Sequence, residues 1–171
     1  MNAIEVCLQA YQWASDLMEM VMADVTPEQA AWVPPGIANP LGATYAHAAL
    51  ETDAMIQHFV RGEAPLYETT WASKTGVSQP QMGQTLAWGR ALQVELPALR
   101  EYARAVYRNT EQTIAALSEE DLEREVDLSP LGEGKRTLNW LLQAMVIGHL
   151  HNVVGEISAL KGIQGAKGYP F

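Results

Sequence analysis

Four long segments of the chain carry apolar residues at the three- and four-residue spacing of an α-helix, and this pattern constrains the fold most strongly. The segments span residues 3–23, about 40–61, 96–117 and 137–161. No stretch sustains the two-residue alternation typical of a half-buried strand. Helices of this length in 171 residues, 48% of them hydrophobic, can bury their apolar faces against one another. We therefore predict an all-α fold, a four-helix bundle formed by one domain over residues 1–171.

Short motifs mark where the long helices begin and end. Asn39-Pro40 predicts the start of the second long helix, with Asn39 as the N-cap and proline at the first helical position. Gly62 predicts the end of that helix. Thr137 predicts the cap of the fourth long helix, and Gly162 predicts its end.

The segments between the helices differ in length. Residues 63–95 contain several prolines and glycines and predict a long connection with short helical pieces. Such a connection is uncommon in a compact domain unless it crosses the fold or contributes to a site. The second helix is about 33 Å long at 1.5 Å per residue; the connection can return along that length, which permits helices 2 and 3 to run parallel. Residues 118–136 predict a short helical turn and a loop, with a short hairpin as the alternative.

The charge and composition of the chain exclude some classes of partner. A net charge of −9 leaves no basic stripe of the kind that a nucleic-acid surface requires. No apolar run of about 18 residues is present, and no basic segment precedes an apolar stretch at the start of the chain, so neither a membrane span nor a secretory signal is expected. The one cysteine, Cys7, excludes an internal disulfide and suits a reducing compartment. We expect a cytoplasmic protein that binds neither nucleic acid nor membranes.

Two histidines near the middle of long helices are the strongest candidates for chemistry. His47 lies in the second long helix and His149 in the fourth. His151 lies about 200° around the helix from His149, so the two cannot face the same interior. His58, near the end of its helix, is expected at the surface or in an interface. Histidines on two packed helices can bind a first-row metal, but spacing alone also permits interior histidines held by hydrogen bonds.

Two glutamates share helix faces with these histidines. Glu51 lies one turn after His47, about 40° around the helix, and Glu156 lies two turns after His149, about 20° around. Either glutamate is an ordinary surface charge or a group that lines the same site. Neither a Gly-rich phosphate loop nor a Gly-x-Ser-x-Gly elbow occurs, so the sequence does not indicate those chemistries.

Several segments, in their order and spacing, resemble the DinB-like superfamily. They are residues 32–36 (Trp-Val-Pro-Pro-Gly), 39–47 (Asn-Pro-Leu-Gly-Ala-Thr-Tyr-Ala-His), 149–156 (His-Leu-His-Asn-Val-Val-Gly-Glu) and the tail 160–171. The resemblance implies a four-helix bundle of up-down-down-up topology, often dimeric. It also implies a site in which one histidine of helix 2 and two of helix 4, four residues apart, bind a divalent metal such as nickel or zinc. Members include metal-dependent hydrolases and transferases that use mycothiol or bacillithiol.

Carried over residue by residue, this metal site is incomplete. The helix 2 ligand falls on His47 and the first helix 4 ligand on His149, whereas the second helix 4 ligand falls on Val153, which has no donor atom. Asn152 and Glu156 are the nearby substitutes. Asparagine is a poor ligand for zinc or nickel, and Glu156 is nearly two turns away from His149.

Two functions remain open. One is a relative without catalysis, whose pocket binds a small ligand or merely packs, with a weak or absent metal. The alternative is a metal-dependent hydrolase or thiol-dependent transferase that uses His47 and His149. We also expect a homodimer, because Trp71, Trp88 and the tail Tyr169-Pro170-Phe171 are hard to bury in one bundle. Trp13 and Trp140 are expected in the core.

Overall fold

The computed structural model describes residues 2–171, and helices dominate it. In chain order the main elements are α1 (Ala3–Met22), α2 (Pro27–Ala31), α3 (Leu41–Ala54), α4 (Leu86–Ala91), α5 (Leu96–Ala115), α6 (Glu119–Glu123), β1 (Glu125–Asp127), β2 (Lys135–Thr137), α7 (Leu138–Trp140) and α8 (His149–Ile163). Two π-helical segments continue the long helices: Met55–Arg61 extends α3, and Leu141–Gly148 joins α7 to α8. Single 3-10 turns occur at Leu66–Glu68 and Ser129–Leu131. Over residues 2–171, no helix is both long enough and apolar enough to cross a membrane.

Hydrogen bonds at the end of α1 fix the directions of two other helices. Arg100, near the start of α5, donates to the backbone carbonyl of Met22 at 2.5 Å, so α5 runs antiparallel to α1. Lys161, near the end of α8, donates to the carbonyl of Val21 at 2.8 Å and to Asp24 at 2.5 Å. Because the end of α8 therefore lies beside the end of α1, these two helices run parallel.

Contacts between α3 and α5 complete the topology. Tyr102 donates to Asp53, and further along both helices Gln57 donates to Asn109, so α3 and α5 run parallel. It follows that α3 is antiparallel to α8. The bundle has the up-down-down-up order, with the long connection joining two parallel helices, and the predicted all-α four-helix bundle is confirmed.

Helix α3 is buried on nearly every side. Within Leu41–Ala54 only Glu51 is partly exposed. The small residues Gly42, Ala46 and Ala49 allow neighbouring helices to approach closely, since a side chain at Gly42 would meet the backbone of Ala30 at 3.0 Å. A polar side chain on α3 is therefore held inside the protein.

The predicted start of α3 needs one correction. The helix begins at Leu41 with Pro40 as the N-cap residue, and no side chain caps it. Asn39 instead packs against Gly89 of α4, where a Cβ atom would lie 2.3 Å from Asn39 Oδ1. The predicted end is confirmed, because Gly62 closes the helix in the left-handed region at φ 70°.

Two further expectations differ from the structure. Residues 125–137 form the hairpin that was the alternative, with Val126 paired to Arg136, rather than a plain loop. Trp13 is not a core residue, because its side chain is 51% exposed on α1. Its neighbours Ala14 and Ser15 face the interior in its place.

Candidate functional site

The antiparallel packing of α3 against α8 brings two histidines together. The Nε2 atoms of His47 and His149 lie 2.9 Å apart. The ring planes meet edge to face at 87°, with centroids 4.8 Å apart. One imidazole therefore donates to the other, and which one donates depends on the tautomers. We call these two residues the histidine pair.

The outer nitrogens of the histidine pair are not satisfied. The Nδ1 atoms of His47 and His149 are both buried, and neither has a hydrogen-bond partner among the protein atoms of residues 2–171. In any neutral arrangement with one Nε2-to-Nε2 bond, one Nδ1 is a donor and the other an acceptor. A buried polar group without a partner typically lowers the stability of the fold by about 1–3 kcal/mol. Core packing alone therefore does not explain why the pair is there.

Burial keeps both imidazoles neutral. Burial lowers the pKa of His47 to about 4, and the neighbouring His149 adds to that shift. Burial also lowers the pKa of His149. At neutral pH the pair therefore presents nitrogen lone pairs rather than a positive charge.

The chain offers few donor atoms for a metal at this place. Val153 lies one turn after His149 on the same helix face, is 2% exposed, and carries only methyl groups. Among residues 2–171, no group of three or more His, Cys, Asp or Glu side chains is arranged to hold a metal ion. A hydrolytic zinc site typically uses three protein ligands and one water. A donor set of two imidazoles beside a valine does not fit such a site.

The two glutamates singled out by the sequence have different surroundings. Glu51 is partly exposed, and its Oε2 accepts from the backbone N–H of Gly83 at 2.9 Å. Burial raises the pKa of the Glu51 carboxyl, and this hydrogen bond opposes the shift. Glu156 is exposed on α8, although partial burial of its carboxyl still raises its pKa. Asn152 is exposed on the same helix.

The long connection crosses α3 on both sides of His47. Gly83 binds Glu51, one turn after His47, while Gln84 accepts from Asn39 Nδ2 at 3.2 Å, before the helix begins. Residues 63–95 therefore contribute to the surroundings of the pair. Trp88 anchors this segment, since it is 6% exposed and its ring N–H donates to the carbonyl of Gln79 at 2.9 Å.

A cavity of about 410 Å³ lies in the same groove between α3 and α8. Neither histidine lines the cavity, but Thr44 lies one turn before His47 and Glu156 two turns after His149, so the cavity lies further along the same two helices. We call it the α3–α8 cavity; it is lined by Ile37, Ala38, Asn39, Thr44, Gln84, Glu156, Ala159, Leu160 and Ile163. Its size is within the range of small-molecule sites, about 300–1,000 Å³.

Sequence reasoning missed part of this site. The sequence indicates Asn39 only as a helix cap and Gln84 only as part of a connection, yet both line the cavity. The signal was the connection's length, which indicated a contribution to a site but not which residues supply it. The other two histidines lie elsewhere: His58 is exposed, and His151 Nδ1 lies 3.0 Å from the carbonyl of Ile147 on its own helix.

Comparisons with known proteins agree with this fold. The sequence pattern of the DinB superfamily matches residues 10–156, a span that holds both members of the histidine pair. The crystal structure of a conserved protein from Enterococcus faecalis superposes with a TM-score of 0.76 and 19% sequence identity. The superposition covers 95% of this chain and 99% of that one, and at this identity it shows the fold alone. No curated protein matches the sequence.

Proposed function

Because the chain belongs to the DinB superfamily, we propose that it is a small-ligand-binding member without catalysis, in which a metal binds weakly or not at all. The observation that carries the proposal is the buried Val153, which leaves the pair without a third donor on that helix face. The α3–α8 cavity, one to two helical turns from the pair along the same helices, supplies room for a ligand. The unpartnered Nδ1 atoms support a binding role, because a purely structural pair gains nothing from leaving them unpaired.

Metal analysis of protein purified without an affinity tag tests the proposal. We expect nickel and zinc well below one ion per chain, and no change in thermal stability when a chelator is added. A stoichiometric metal that survives dialysis would overturn the proposal in favour of the enzyme.

The alternative is a metal-dependent hydrolase or thiol-dependent transferase that uses His47 and His149. The convergence of the two Nε2 atoms favours it, since ligands of one ion must lie a few ångströms apart. It ranks second because it needs a third ligand. Glu51 already accepts a backbone hydrogen bond, and Glu156 is exposed in the cavity lining.

We also propose a homodimer, for a reason that differs from the sequence-based one. Trp88 is buried and Trp71 packs against Tyr102, so these tryptophans do not need a partner. Exposed apolar residues instead recur every seven positions on α1: Val6, Trp13 and Met20 are 51%, 51% and 39% exposed. The stripe is symmetric about Trp13, so an antiparallel second copy of α1 would pair Val6 with Met20 and Trp13 with itself.

Light scattering tests the dimer. We expect about twice the monomer mass of 18.8 kDa for the unmodified chain, and the monomer mass for Trp13→Glu. Val33→Glu is the matched control, because Val33 is 52% exposed but lies off α1. A monomer mass for the unmodified chain at all concentrations contradicts the proposal.

For the location we propose the cytoplasm, because the only cysteine, Cys7, is a free, buried thiol. Fractionation of the source cells tests this, and recovery in an extracellular or membrane fraction would contradict it.

A further inference from the structure

The α3–α8 cavity has an apolar wall that a hydrocarbon group fits. Five of its lining residues are aliphatic: Ile37, Ala38, Ala159, Leu160 and Ile163. Ile37 and Ile163 are 86% and 63% exposed, so most of their apolar surface meets solvent in the free protein. A ligand with a hydrocarbon body would remove part of that surface from water, which is favourable.

The polar side chains that line the cavity carry one negative charge and no positive charge. Glu156 is the one charged residue of the lining, and it is acidic. The Thr44 hydroxyl donates its hydrogen to the carbonyl of Pro40 at 3.2 Å. Its oxygen can therefore only accept a hydrogen bond from any further partner. Asn39 Oδ1 is also without a partner among the described residues, but it is buried against Gly89. The donors that remain are amide hydrogens of Gln84 and Asn39.

The nearby cations are engaged elsewhere. Lys161 follows Leu160 in the chain, but it is 3% exposed and binds Val21 and Asp24 at the end of α1. Arg90 donates to the carbonyl of Gly36, next to the rim, and is not part of the lining. The cavity therefore presents a negative group, and the Thr44 oxygen as an acceptor, beside an apolar wall.

We infer that the ligand of the α3–α8 cavity is a small organic cation, an ammonium group on a hydrocarbon body, whose charge is bound by Glu156. This inference rests on the proposed ligand-binding function and adds the chemical class of the ligand. The ammonium supplies donors and a positive charge for Glu156 and Thr44, and the hydrocarbon covers Ile37 and Ile163. A carboxylate of the same shape would bring its charge against Glu156 and would bind more weakly.

Three probes of equal length test the charge preference. Hexylammonium, hexanol and hexanoate are titrated into isotopically labelled protein, and binding is followed by backbone amide shifts of residues 37–39 and 156–163. We expect hexylammonium to bind at least about 10-fold more tightly than hexanoate, with hexanol between them. Glu156→Gln keeps the shape and should weaken hexylammonium about 5-fold or more, while leaving hexanol unchanged.

Two further variants separate the charge from the cavity. Ala159→Trp fills the cavity and should abolish the shifts for all three probes. Glu120→Gln removes one negative charge on the surface of α6 and should change nothing, which controls for net charge.

The outcomes distinguish the two proposals. If all three probes bind equally and Glu156→Gln has no effect, the cation inference is overturned while the ligand-binding cavity stands. If no probe shifts these residues, the inference and the cavity's proposed function both fail. Binding that survives Ala159→Trp would place the probe elsewhere and would also overturn both.

Discussion

Two buried polar side chains of α3, Asp53 and His47, are held in opposite ways. Asp53 is 1% exposed, and both carboxylate oxygens are satisfied: Leu66 and Tyr67 donate backbone N–H groups at 3.0 and 3.1 Å, and Tyr102 donates its hydroxyl at 2.7 Å. We call these four residues the Asp53 cluster. The histidine pair makes one internal hydrogen bond and leaves both Nδ1 atoms without a partner among the described residues.

The difference separates a structural group from a candidate site. The Asp53 cluster ties the start of the long connection to α3 and α5, and three donors bind its carboxylate. Burial raises the pKa of Asp53, and the three hydrogen bonds oppose that shift. The histidine pair lies where the connection crosses α3, one to two helical turns from the α3–α8 cavity, and it keeps unused hydrogen-bonding capacity. Unused capacity in a buried group is what a ligand can exploit.

The largest effect is expected from breaking the Asp53 cluster. Asp53→Ala leaves two backbone donors and the Tyr102 hydroxyl unpaired, which should lower the free energy of unfolding by about 3–5 kcal/mol. Tyr102→Phe removes one donor only and should cost about 1–2 kcal/mol. Urea unfolding at pH 7 measures both.

The matched control is Asp16→Ala, because Asp16 is exposed on α1. It should change the free energy of unfolding by less than about 0.5 kcal/mol. An Asp53→Ala variant as stable as this control would show that the cluster does not hold the connection.

The second effect is a pH dependence that comes from His47. Its pKa is about 4 in the folded protein and about 6.5 in an unfolded chain. Above pH 6.5 both states are neutral, whereas between the two values the unfolded chain binds a proton that the folded protein does not. Stability should therefore fall as the pH drops from about 6.5 to about 4, by up to about 3 kcal/mol for this group.

The measurement is the difference between the unmodified chain and His47→Gln. The raised pKa values of Glu51, Asp53 and Glu156 make the folded protein more stable as the pH falls, which is opposite to the effect of His47. Because both proteins contain these carboxyl groups, their contribution largely cancels when the two are compared. Urea unfolding between pH 4 and 7 should show a steeper loss for the unmodified chain. If the free energy of unfolding changes with pH equally in the two proteins, the pKa of His47 is the same in the folded and unfolded states, which contradicts the prediction.

The third effect concerns the missing ligand. Val153→His places a third imidazole one turn after His149, so nickel or zinc should bind at least about 10-fold more tightly, equivalent to about 1.4 kcal/mol. The substitution itself costs roughly 1–3 kcal/mol of stability, because a larger polar ring enters a packed interior. Calorimetric titration compares the variant with the unmodified chain.

Val154→His is the matched control. Val154 is equally buried, at 1% exposure against 2% for Val153, but lies about 100° further around the helix. Equal affinity gains in both variants would show that the pair does not define the metal position. Unchanged affinity in Val153→His would remove the metal interpretation for this groove.

The sequence predicts a feature well when residues close in the chain determine it, and poorly when residues distant in the chain do. Gly62 ends the second long helix and Thr137 caps the fourth, each by contacts within a few residues, so both predictions are confirmed. Asn39 carries the same kind of local signal, but its side chain packs against Gly89, which is distant in sequence, and does not cap the helix. The exposed Trp13 could not be predicted from hydrophobicity alone, because its helix has enough smaller residues to fill the interior.

The site shows the same limit. The sequence indicated His47 and His149 as candidates because both lie near the middle of long helices, and the structure brings their Nε2 atoms 2.9 Å apart. Helical-wheel angles assumed 100° per residue, whereas Leu141–Gly148 is π-helical and winds differently. The angle around the helix between two residues within α8, such as His149 and Val153, is therefore correct. The angle between residues on opposite sides of the π-helical segment is not. The cavity depends on a connection whose path has no periodic signal.

The smallest effect, and the sharpest contrast with Asp53, is expected from removing the histidine pair entirely. Replacing both partners of a buried hydrogen bond by apolar groups of similar size can be neutral or stabilising. The double variant His47→Leu/His149→Leu also removes two unpaired Nδ1 atoms. Its free energy of unfolding at pH 7 should therefore lie within about 1 kcal/mol of the unmodified chain or above it. Each single variant should be less stable than the double variant, because it leaves the other imidazole without its one hydrogen bond. If the double variant instead loses several kcal/mol, as Asp53→Ala should, the pair is a structural element and its unused nitrogens are not evidence of a site.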